Sequence, residues 1–169
     1  MNLLNKATSY IPERMRNQIF VSSWSYFNVP LLFWVRPKII ELTGKRIEIM
    51  IPLNKRTKNH LNSLYFGVLS TGADCAGGLL AMKIAKESGQ KVSLVFKDFH
   101  ADFLRRAESD THFVCEEGEK IENFVKKVLN SDERHNRTVN VSARCLNKSS
   151  NEWEDVAKFK LTLSMRRKC

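Results

Sequence analysis

Strict alternation of apolar and polar residues marks the C-terminal end of the chain. Apolar residues occupy every second position from Val139 to Cys145 and again from Ala157 to Met165. A period of two places one set of side chains on a buried face and the other on a solvated face. Both segments are therefore predicted to be strands of an antiparallel sheet.

Four further segments complete the predicted sheet. Lys38 to Leu42 and Lys45 to Leu53 flank a Thr-Gly pair, which indicates a hairpin. Lys91 to Leu104 is a long strand whose alternation changes phase near Lys97-Asp98, and Thr111 to Cys115 is a short strand. One extra residue at the change of phase, a β-bulge, explains it and bends the long strand.

The two internal helices are predicted from different patterns. Glu119 to Asn130 carries apolar residues at i, i+3, i+4, i+7 and i+8, which is typical of an amphipathic surface helix. Ser70 to Ser88 has no polar face before Lys83 and consists of small and apolar residues, so it must be surrounded. One curved antiparallel sheet wrapped around one buried helix satisfies both patterns, and the predicted class is α+β.

The start of the chain is predicted to be a separate helical element. Residues 1–37 form an N-terminal helical arm, and residues 38–169 form the single domain that a chain of 169 residues supports. The arm is rich in aromatic residues, which indicates that it packs onto the main domain. These residues are Trp24, Tyr26, Phe27, Phe33 and Trp34.

Composition and charge narrow the class of partner. Apolar residues make up 43% of the chain and charged residues 27%, which excludes a disordered tail or a fibrous repeat. The 28 Lys and Arg against 18 Asp and Glu give a net charge of 28 − 18 = +10, so the partner is expected to be anionic. The phosphates of a small molecule, nucleic acid and acidic lipid all meet this expectation.

Neither a membrane span nor a metal centre is expected. A membrane span needs about 20 apolar residues. Tyr26 to Val35 is shorter than that and contains a proline, and Leu61 to Met82 holds four glycines and several polar residues. The four cysteines include no Cys-x-x-Cys pair, and the four histidines show no metal-ligand spacing. The N-terminus lacks the apolar core of a signal peptide, so a cytoplasmic location is expected.

The order of the predicted elements resembles the hot-dog fold of acyl-CoA thioesterases. It runs helix, two strands, buried helix, two strands, helix, two strands. The segment from Asn59 to Asp74 (NHLNSLYFGVLSTGAD) is also similar to a motif of the phenylacetate-pathway-like thioesterases. Asn59, Gly67 and Ala73-Asp74 fall on the Asn, the second Gly and the Ala/Val-Asp pair of that motif.

Departures and further matches accompany this motif. Tyr65 stands where the family often has His, Phe66 where it has the first Gly, and Asn62 where it has an earlier Gly. The segments FLRRA and ERHNRTV resemble a thioesterase-related bacterial family of unassigned function. The resemblance covers about Lys38 to Arg166, and it implies a hot-dog fold with a curved sheet around a central helix.

The resemblance implies that Asp74 is the general base or nucleophile of thioester hydrolysis. The sequence also singles out this residue, because it is the only charged residue from Leu61 to Met82. An unpaired buried carboxylate costs several kcal/mol, and about one turn into the predicted helix it gains from the helix dipole. The structural alternative is that Asp74 bonds to backbone, Ser or Thr groups and only orients the helix.

The resemblance also implies contacts with the substrate. Asn59 and the backbone N–H groups at Phe66 and Gly67 are candidates to bind the oxyanion, because the turn before a helix presents free donors. Tyr65 is a candidate donor to the thioester, and Arg105-Arg106 is a candidate to hold the phosphates of coenzyme A. The structural alternatives are a turn capped by Asn59, a packed Tyr65 and a solvated arginine face.

The implied assembly is a homodimer or a dimer of dimers, in which Asp74 of one chain faces Asn59 and Gly67 of the other. The resemblance also implies an acyl-CoA or a similar thioester as the substrate, with coenzyme A as part of the substrate and no separate cofactor. A non-catalytic acyl-CoA or lipid-binding protein with a regulatory role is a second hypothesis, which the Tyr65-Phe66 departure favours. A nucleic-acid-binding module is a third; it rests on charge alone, without a recognised motif.

Overall fold

A computed structural model of the chain describes residues 12–168. In that range each helical segment is followed by two strands, in the predicted order. The elements are α1 (Glu13–Asn28), α2 (Pro30–Val35), β1 (Lys38–Leu42), β2 (Ile47–Ile51), α3 (Phe66–Glu87), β3 (Val92–Phe103), β4 (Thr111–Cys115), α4 (Gly118–Leu129), β5 (His135–Leu146) and β6 (Trp153–Arg167).

The strands form one six-stranded antiparallel sheet in the order β1-β2-β4-β5-β6-β3. Helix α3 packs mainly against β2, β4, β5 and β6 and also contacts β3, and α4 packs beside it against β5 and β6. The alternating residues of β6 follow the predicted pattern, since Leu161 and Leu163 are buried and Lys158 and Lys160 are exposed. The predicted α+β class and hot-dog fold, a sheet around a central helix with N-terminal helices, are confirmed.

Two details of the strands bear on the predictions. The register of β3 against β6 shifts between Phe96 and Phe99, so the predicted bulge is confirmed. Strand β2 is shorter than the predicted Lys45 to Leu53. The Thr43 hydroxyl accepts the N–H groups of Lys45 and Arg46, which holds those two residues in the turn. Pro52 follows the strand and lacks the N–H that a ladder requires.

Helix α3 lies close to the sheet because its contact residues are small. A Cβ atom at Gly72 would lie 2.4 to 2.6 Å from three ring carbons of Phe113, which is fully buried. Ala73 and Ala76, on the same helix, are also fully buried. Among the described helices, α3 alone is long and apolar enough to cross a membrane, but 61% of that window is buried inside the protein. It is the core helix of this fold.

The described part of the predicted N-terminal arm, residues 12–37, packs onto the domain, but mostly not through its aromatic residues; residues 1–11 of that prediction lie outside the described residues. Val21, Leu32 and Val35 are buried, whereas the predicted contact residues Tyr26, Phe27, Phe33 and Trp34 are exposed; only Trp24 packs partly against the core. The helices present their aliphatic side to the sheet, and the aromatic side faces outward. The expectation of an aromatic contact holds for Trp24 and for Trp34, whose ring lies 5.0 Å from the Arg56 guanidinium of the domain, and it is wrong for the exposed Tyr26, Phe27 and Phe33.

Helix α1 also covers one edge of the sheet. The Gln18 side chain accepts the N–H of Ile39 at 2.8 Å and donates to the carbonyl of Pro37 at 3.0 Å. These bonds satisfy backbone groups at the free edge of β1, where an open edge invites aggregation. The opposite edge strand, β3, has no such cover among residues 12–168.

The contact between Gly72 and Phe113 predicts that one methyl group added at position 72 destabilises the folded protein. Gly72→Ala is expected to lower the free energy of unfolding by about 1–3 kcal/mol, because the buried ring must move to admit the Cβ atom. Gly77→Ala is the matched control, since the nearest atom to its Cβ position is 3.6 Å away. Urea unfolding of both variants measures the difference, and equal stabilities would contradict the close approach described here.

Candidate active site

Asp74 is the ninth residue of α3 and lies on the side of the helix that faces β3. A Cβ atom at Gly78, one turn further on, would lie 4.0 Å from Asp74 Oδ1 and 3.5 Å from Cζ of Phe96. The carboxylate and the Phe96 ring therefore approach the same point from the helix and from the strand. Because Gly78 has no side chain, the space between them stays open.

The Asp74 carboxylate has no partner within residues 12–168, where it accepts no hydrogen bond and forms no ion pair. Burial raises the pKa of Asp74 above its ordinary 3.8, and no neighbouring charge opposes the shift. The adjacent Cys75 is buried, and the pKa of its thiol is also raised, by burial and by the charge of Asp74. The predicted alternative, a bond from Asp74 to backbone, Ser or Thr, is not formed in this part of the chain.

The position of Asp74 in the helix differs from the prediction. Helix α3 begins at Phe66 instead of Ser70, so Asp74 lies more than two turns from its N-terminus. The helix dipole acts mainly within the first turn. It therefore gives this carboxylate little stabilisation, and the expected dipole contribution is wrong.

The inward face of β3 leaves an apolar strip accessible beside α3, which we call the groove. Phe96 and Phe99 are paired with Leu163 and Leu161 of β6, so these residues point to the face of the sheet that carries α3. Leu163 and Leu161 are at most 1% exposed, but Phe96 and Phe99 are 36% and 43% exposed, and Phe103 is 49% exposed. Helix α3 thus covers the inner strands and leaves the inward face of β3 accessible beside Asp74.

Asn59 lies in a tightly bonded turn before α3. Its side-chain oxygen accepts the backbone N–H groups of Leu61 at 2.9 Å and of Ser63 at 3.2 Å. Its own backbone N–H donates to the Ser63 carbonyl at 2.8 Å. The side-chain oxygen of Asn59 therefore stabilises the turn. Its side-chain amide nitrogen remains as the group able to contact a substrate.

The N-terminus of α3 presents free donors. No side chain caps the helix at Tyr65, and no described residue accepts the N–H groups of Phe66 and Gly67. The Tyr65 ring contacts Phe66 edge-on, with 4.8 Å between ring centroids, and Phe66 lies 6.3 Å from Phe103 of β3. Tyr65 and Phe66 thus extend the aromatic lining of the groove to the start of the helix.

Arg105 and Arg106 follow the end of β3 and lie beside the turn that leads into α3. The link between the two segments is a bond from the Leu64 N–H to the Ala107 carbonyl at 2.8 Å. Both arginines are exposed; Arg105 pairs with Glu154 at 3.1 Å, and Arg106 pairs with Glu108 at 3.4 Å. They lie at the end of the groove that contains the free N–H groups, and their surface ion pairs are weak enough to be exchanged for a phosphate.

The candidate groups of one chain are too far apart to act on one carbonyl group. Gly67 and Asp74 are seven positions apart in the helix, which at a rise of 1.5 Å per residue is about 10 Å along the helix axis. A base and an oxyanion donor must each lie about 3 Å from the reacting group. A site that uses both therefore needs the donors of one chain and the carboxylate of another.

Other polar and hollow features lie away from this groove. Glu48 is buried on the far face of the sheet and bonds His112 at 2.7 Å and Arg46 at 2.5 Å. Burial raises the pKa of Glu48, but these bonds outweigh burial and leave its pKa below the ordinary value.

A cavity of about 700 Å³ lies between α1, α2 and β1. Within residues 12–168 no three His, Cys, Asp or Glu side chains converge as metal ligands.

These features define a protein of the hot-dog fold that thioesterases share, with an acid beside an open groove. The chain belongs to the family described as a domain of unknown function, DUF4442, whose model matches residues 17–163. No curated protein sequence matches the chain significantly.

Solved structures show the same fold at low sequence identity. A protein of unknown function from Chlorobaculum tepidum is 14% identical, with a TM-score of 0.75 over 92% of this chain and 97% of that one. A thioesterase family protein from Silicibacter pomeroyi is 20% identical, with a TM-score of 0.65 over 89% and 99%. A thioesterase from Haemophilus influenzae is 19% identical, with a TM-score of 0.62 over 85% and 87%. At these identities the likeness establishes the fold alone.

The desolvated carboxylate predicts that Asp74→Asn stabilises the protein at neutral pH. A raised pKa means that the folded state favours the protonated acid, and this contribution to stability is lost as the pH rises through the raised pKa. Replacing the charge is expected to raise the free energy of unfolding at pH 7 by about 1 kcal/mol. The difference should shrink as the pH falls through the raised pKa and vanish below 3.8.

Urea unfolding at pH 7 and pH 3 measures this effect. Asp98→Asn is the matched control, since Asp98 is exposed and has no partner among the described residues. If Asp74→Asn is no more stable than the wild type at pH 7, the carboxylate is held by bonds and not desolvated.

Proposed function

We propose that this protein is a thioesterase that hydrolyses an acyl-CoA or a similar thioester, with Asp74 as the catalytic acid–base or nucleophilic group. The observation that carries the proposal is the unpartnered Asp74 carboxylate beside the open groove between α3 and β3. A fold that retains a desolvated charge without a partner sacrifices stability at that point, which is typical of functional groups. The thioesterases that share the fold support the class of reaction.

Either chemistry that the carboxylate offers leads to the same products. As a general base, Asp74 takes a proton from water, and the hydroxide attacks the thioester carbonyl carbon. The tetrahedral intermediate then breaks its C–S bond, and the departing thiolate receives the proton, which gives a carboxylic acid and a thiol. As a nucleophile, Asp74 first forms an anhydride with release of the thiol, and water then hydrolyses the anhydride. A higher pKa makes the carboxylate a stronger base.

We propose a homodimer, or a dimer of dimers, that joins the free edges of two β3 strands. The twelve residues of β3 form an edge that no described segment covers, and the groove beside them exposes three phenylalanines. Pairing of two such edges satisfies the backbone groups and closes the groove. It also brings Asp74 of one chain towards Asn59, Phe66 and Gly67 of the other, as the distance of about 10 Å within one chain requires.

The groove and its ends fit an acyl-CoA. Phe96, Phe99 and Phe103 offer an apolar surface for the acyl group, and Arg105 and Arg106 offer cations for the phosphates of coenzyme A. Coenzyme A acts here as part of the substrate, and no further cofactor is needed for hydrolysis. We place the reaction in the cytoplasm, where the free thiols of the described chain stay reduced; they are Cys75, Cys115 and Cys145.

The first prediction of this proposal is a loss of turnover without a loss of folding. Asp74→Asn is expected to lower kcat/KM towards acyl-CoA substrates at least about 100-fold, because the amide neither accepts a proton nor attacks the carbonyl. Wild-type turnover is expected to rise with pH through the raised pKa of Asp74, because only the ionised form is active. Thiol release from acyl-CoAs of different chain length measures both effects.

Glu152→Gln is the control for this experiment, because Glu152 is exposed in the turn between β5 and β6 and its side chain has no partner among the described residues; its turnover should equal that of the wild type. Binding of the same acyl-CoAs is measured alongside turnover. Tight binding without turnover by either the wild type or Asp74→Asn would show a non-catalytic acyl-CoA-binding protein. Salt-sensitive binding to DNA with no affinity for acyl-CoA would instead favour the nucleic-acid hypothesis.

The shared site predicts complementation between two inactive variants. In a heterodimer of Asp74→Asn with Asn59→Ala, one of the two sites combines an intact Asp74 with an intact Asn59. When the two variants are mixed under conditions of subunit exchange, about a quarter of wild-type activity should return, because half of the dimers are mixed. Each variant alone should stay inactive.

A double variant, Asp74→Asn/Asn59→Ala, mixed with Asp74→Asn is the matched control, since no site in that mixture is intact.

Val95→Lys tests the proposed contact between two β3 edges, because like charges on paired β3 strands repel each other. It should yield monomers in light scattering, whereas Val95→Thr should not. Failure of complementation between variants that do form mixed dimers would place the site within one chain.

A further inference from the structure

The helices α1 and α2 expose an apolar surface that the proposed thioester site does not use. Eight large apolar side chains between positions 15 and 34 are each at least 39% exposed, and Phe27 is 80% exposed. We call this set the hairpin patch; it consists of Met15, Ile19, Phe20, Tyr26, Phe27, Leu31, Phe33 and Trp34. An exposed apolar area of this kind marks an interaction surface, since soluble domains seldom leave one uncovered.

The central members of the hairpin patch form one continuous surface. The Tyr26 ring lies 5.0 Å from the Phe27 ring and 5.1 Å from the Phe33 ring. Together with Ile19, these three residues line a shallow depression of about 440 Å³. Phe33 also borders the larger cavity of about 700 Å³, which Met15 lines on its other side. The patch thus continues from the helix surface into two hollows.

Cations lie at the border of the hairpin patch. The guanidinium of Arg56 lies 5.0 Å above the Trp34 ring, and the ammonium of Lys86 lies 5.0 Å above the Phe20 ring. Arg36 and Lys38 line the larger hollow, and none of the described residues that line either hollow is acidic. The patch therefore combines apolar and aromatic side chains with positive charge at its rim.

We propose that the hairpin patch docks onto the surface of an anionic lipid bilayer. Exposed aromatic and aliphatic side chains with basic residues beside them bind in the interface between headgroups and acyl chains. Aromatic rings favour that depth, and lysine and arginine reach from it to lipid phosphates. A second copy of this chain fits less well, because it would bring the same cations into the interface without acidic counterparts.

The experiment is sedimentation of the full-length protein with vesicles. The vesicles contain phosphatidylcholine alone or phosphatidylcholine with phosphatidylglycerol, at low and at physiological salt. The wild type is expected to bind the anionic vesicles, and to bind them less at higher salt. Phe27→Gln/Leu31→Gln should weaken binding at least about tenfold, and Arg56→Gln/Lys86→Gln should weaken it roughly thirtyfold, since each basic residue near the surface contributes to the attraction.

Matched controls change the same chemistry elsewhere on the surface. Trp153→Gln removes an exposed aromatic side chain from the start of β6, and Lys127→Gln/Lys148→Gln removes two exposed cations. Both should bind as the wild type does. A variant with Trp24→Phe and Trp153→Phe keeps Trp34 as its only tryptophan, and its fluorescence should shift to the blue on anionic vesicles.

The outcomes that overturn the proposal are distinct from those that support it. Absence of sedimentation, equal binding to neutral vesicles, or binding unaffected by the patch variants would each reject a lipid partner. If Phe27→Gln/Leu31→Gln instead lowers the oligomeric mass in light scattering and no vesicles are bound, the patch joins two copies of the chain. Thioester hydrolysis by the soluble protein does not enter this test, so the two proposals fail independently.

Discussion

The close approach of α3 to the sheet is the contact on which the rest of the molecule depends. Gly72 admits the Phe113 ring against the helix backbone, and the alanines beside it are fully buried. Because the contact residues are small, the helix lies deep against four strands and buries its apolar surface in the protein. The same contact fixes the rotation of α3 about its axis. Asp74 and Gly78 therefore face β3, whose aromatic side chains stay partly exposed beside the helix.

The two edges of the sheet differ in whether another part of the chain covers them, and the proposed site depends on this difference. Gln18 satisfies backbone groups at the β1 edge with two hydrogen bonds, so that edge is closed within the chain. The β3 edge is long and has no such cover among residues 12–168. The groove, the unpartnered Asp74 carboxylate and the free N–H groups at Gly67 all lie on the side of β3. One partner chain at that edge would satisfy the strand, close the groove and bring the separated groups together.

The strands could be predicted from the sequence because the pleat repeats every two residues, and the bulge in β3 follows from the change of phase near Lys97-Asp98. The start of α3 could not be predicted, since Tyr65 precedes the helix without the capping side chain that marks helix starts. Asp74 stood out as an acid in an apolar stretch, but its distance from Gly67 depends on that helix start. The outward aromatic side of the arm escaped prediction too, because aromatic residues pack in cores and on partner surfaces alike.

The charges beside the two exposed aromatic surfaces separate their chemistry. In the groove, Phe96, Phe99 and Phe103 accompany a carboxylate, and the nearest arginines, Arg105 and Arg106, lie at one end, already paired with acids. In the hairpin patch, cations lie directly over aromatic rings, and no acid lines the two hollows within the described residues. A carboxylate repels an anion and suits the neutral carbonyl of a thioester, whereas a cationic rim attracts a phosphate surface. One ligand therefore does not account for both surfaces, which is why the two proposals name different ligands.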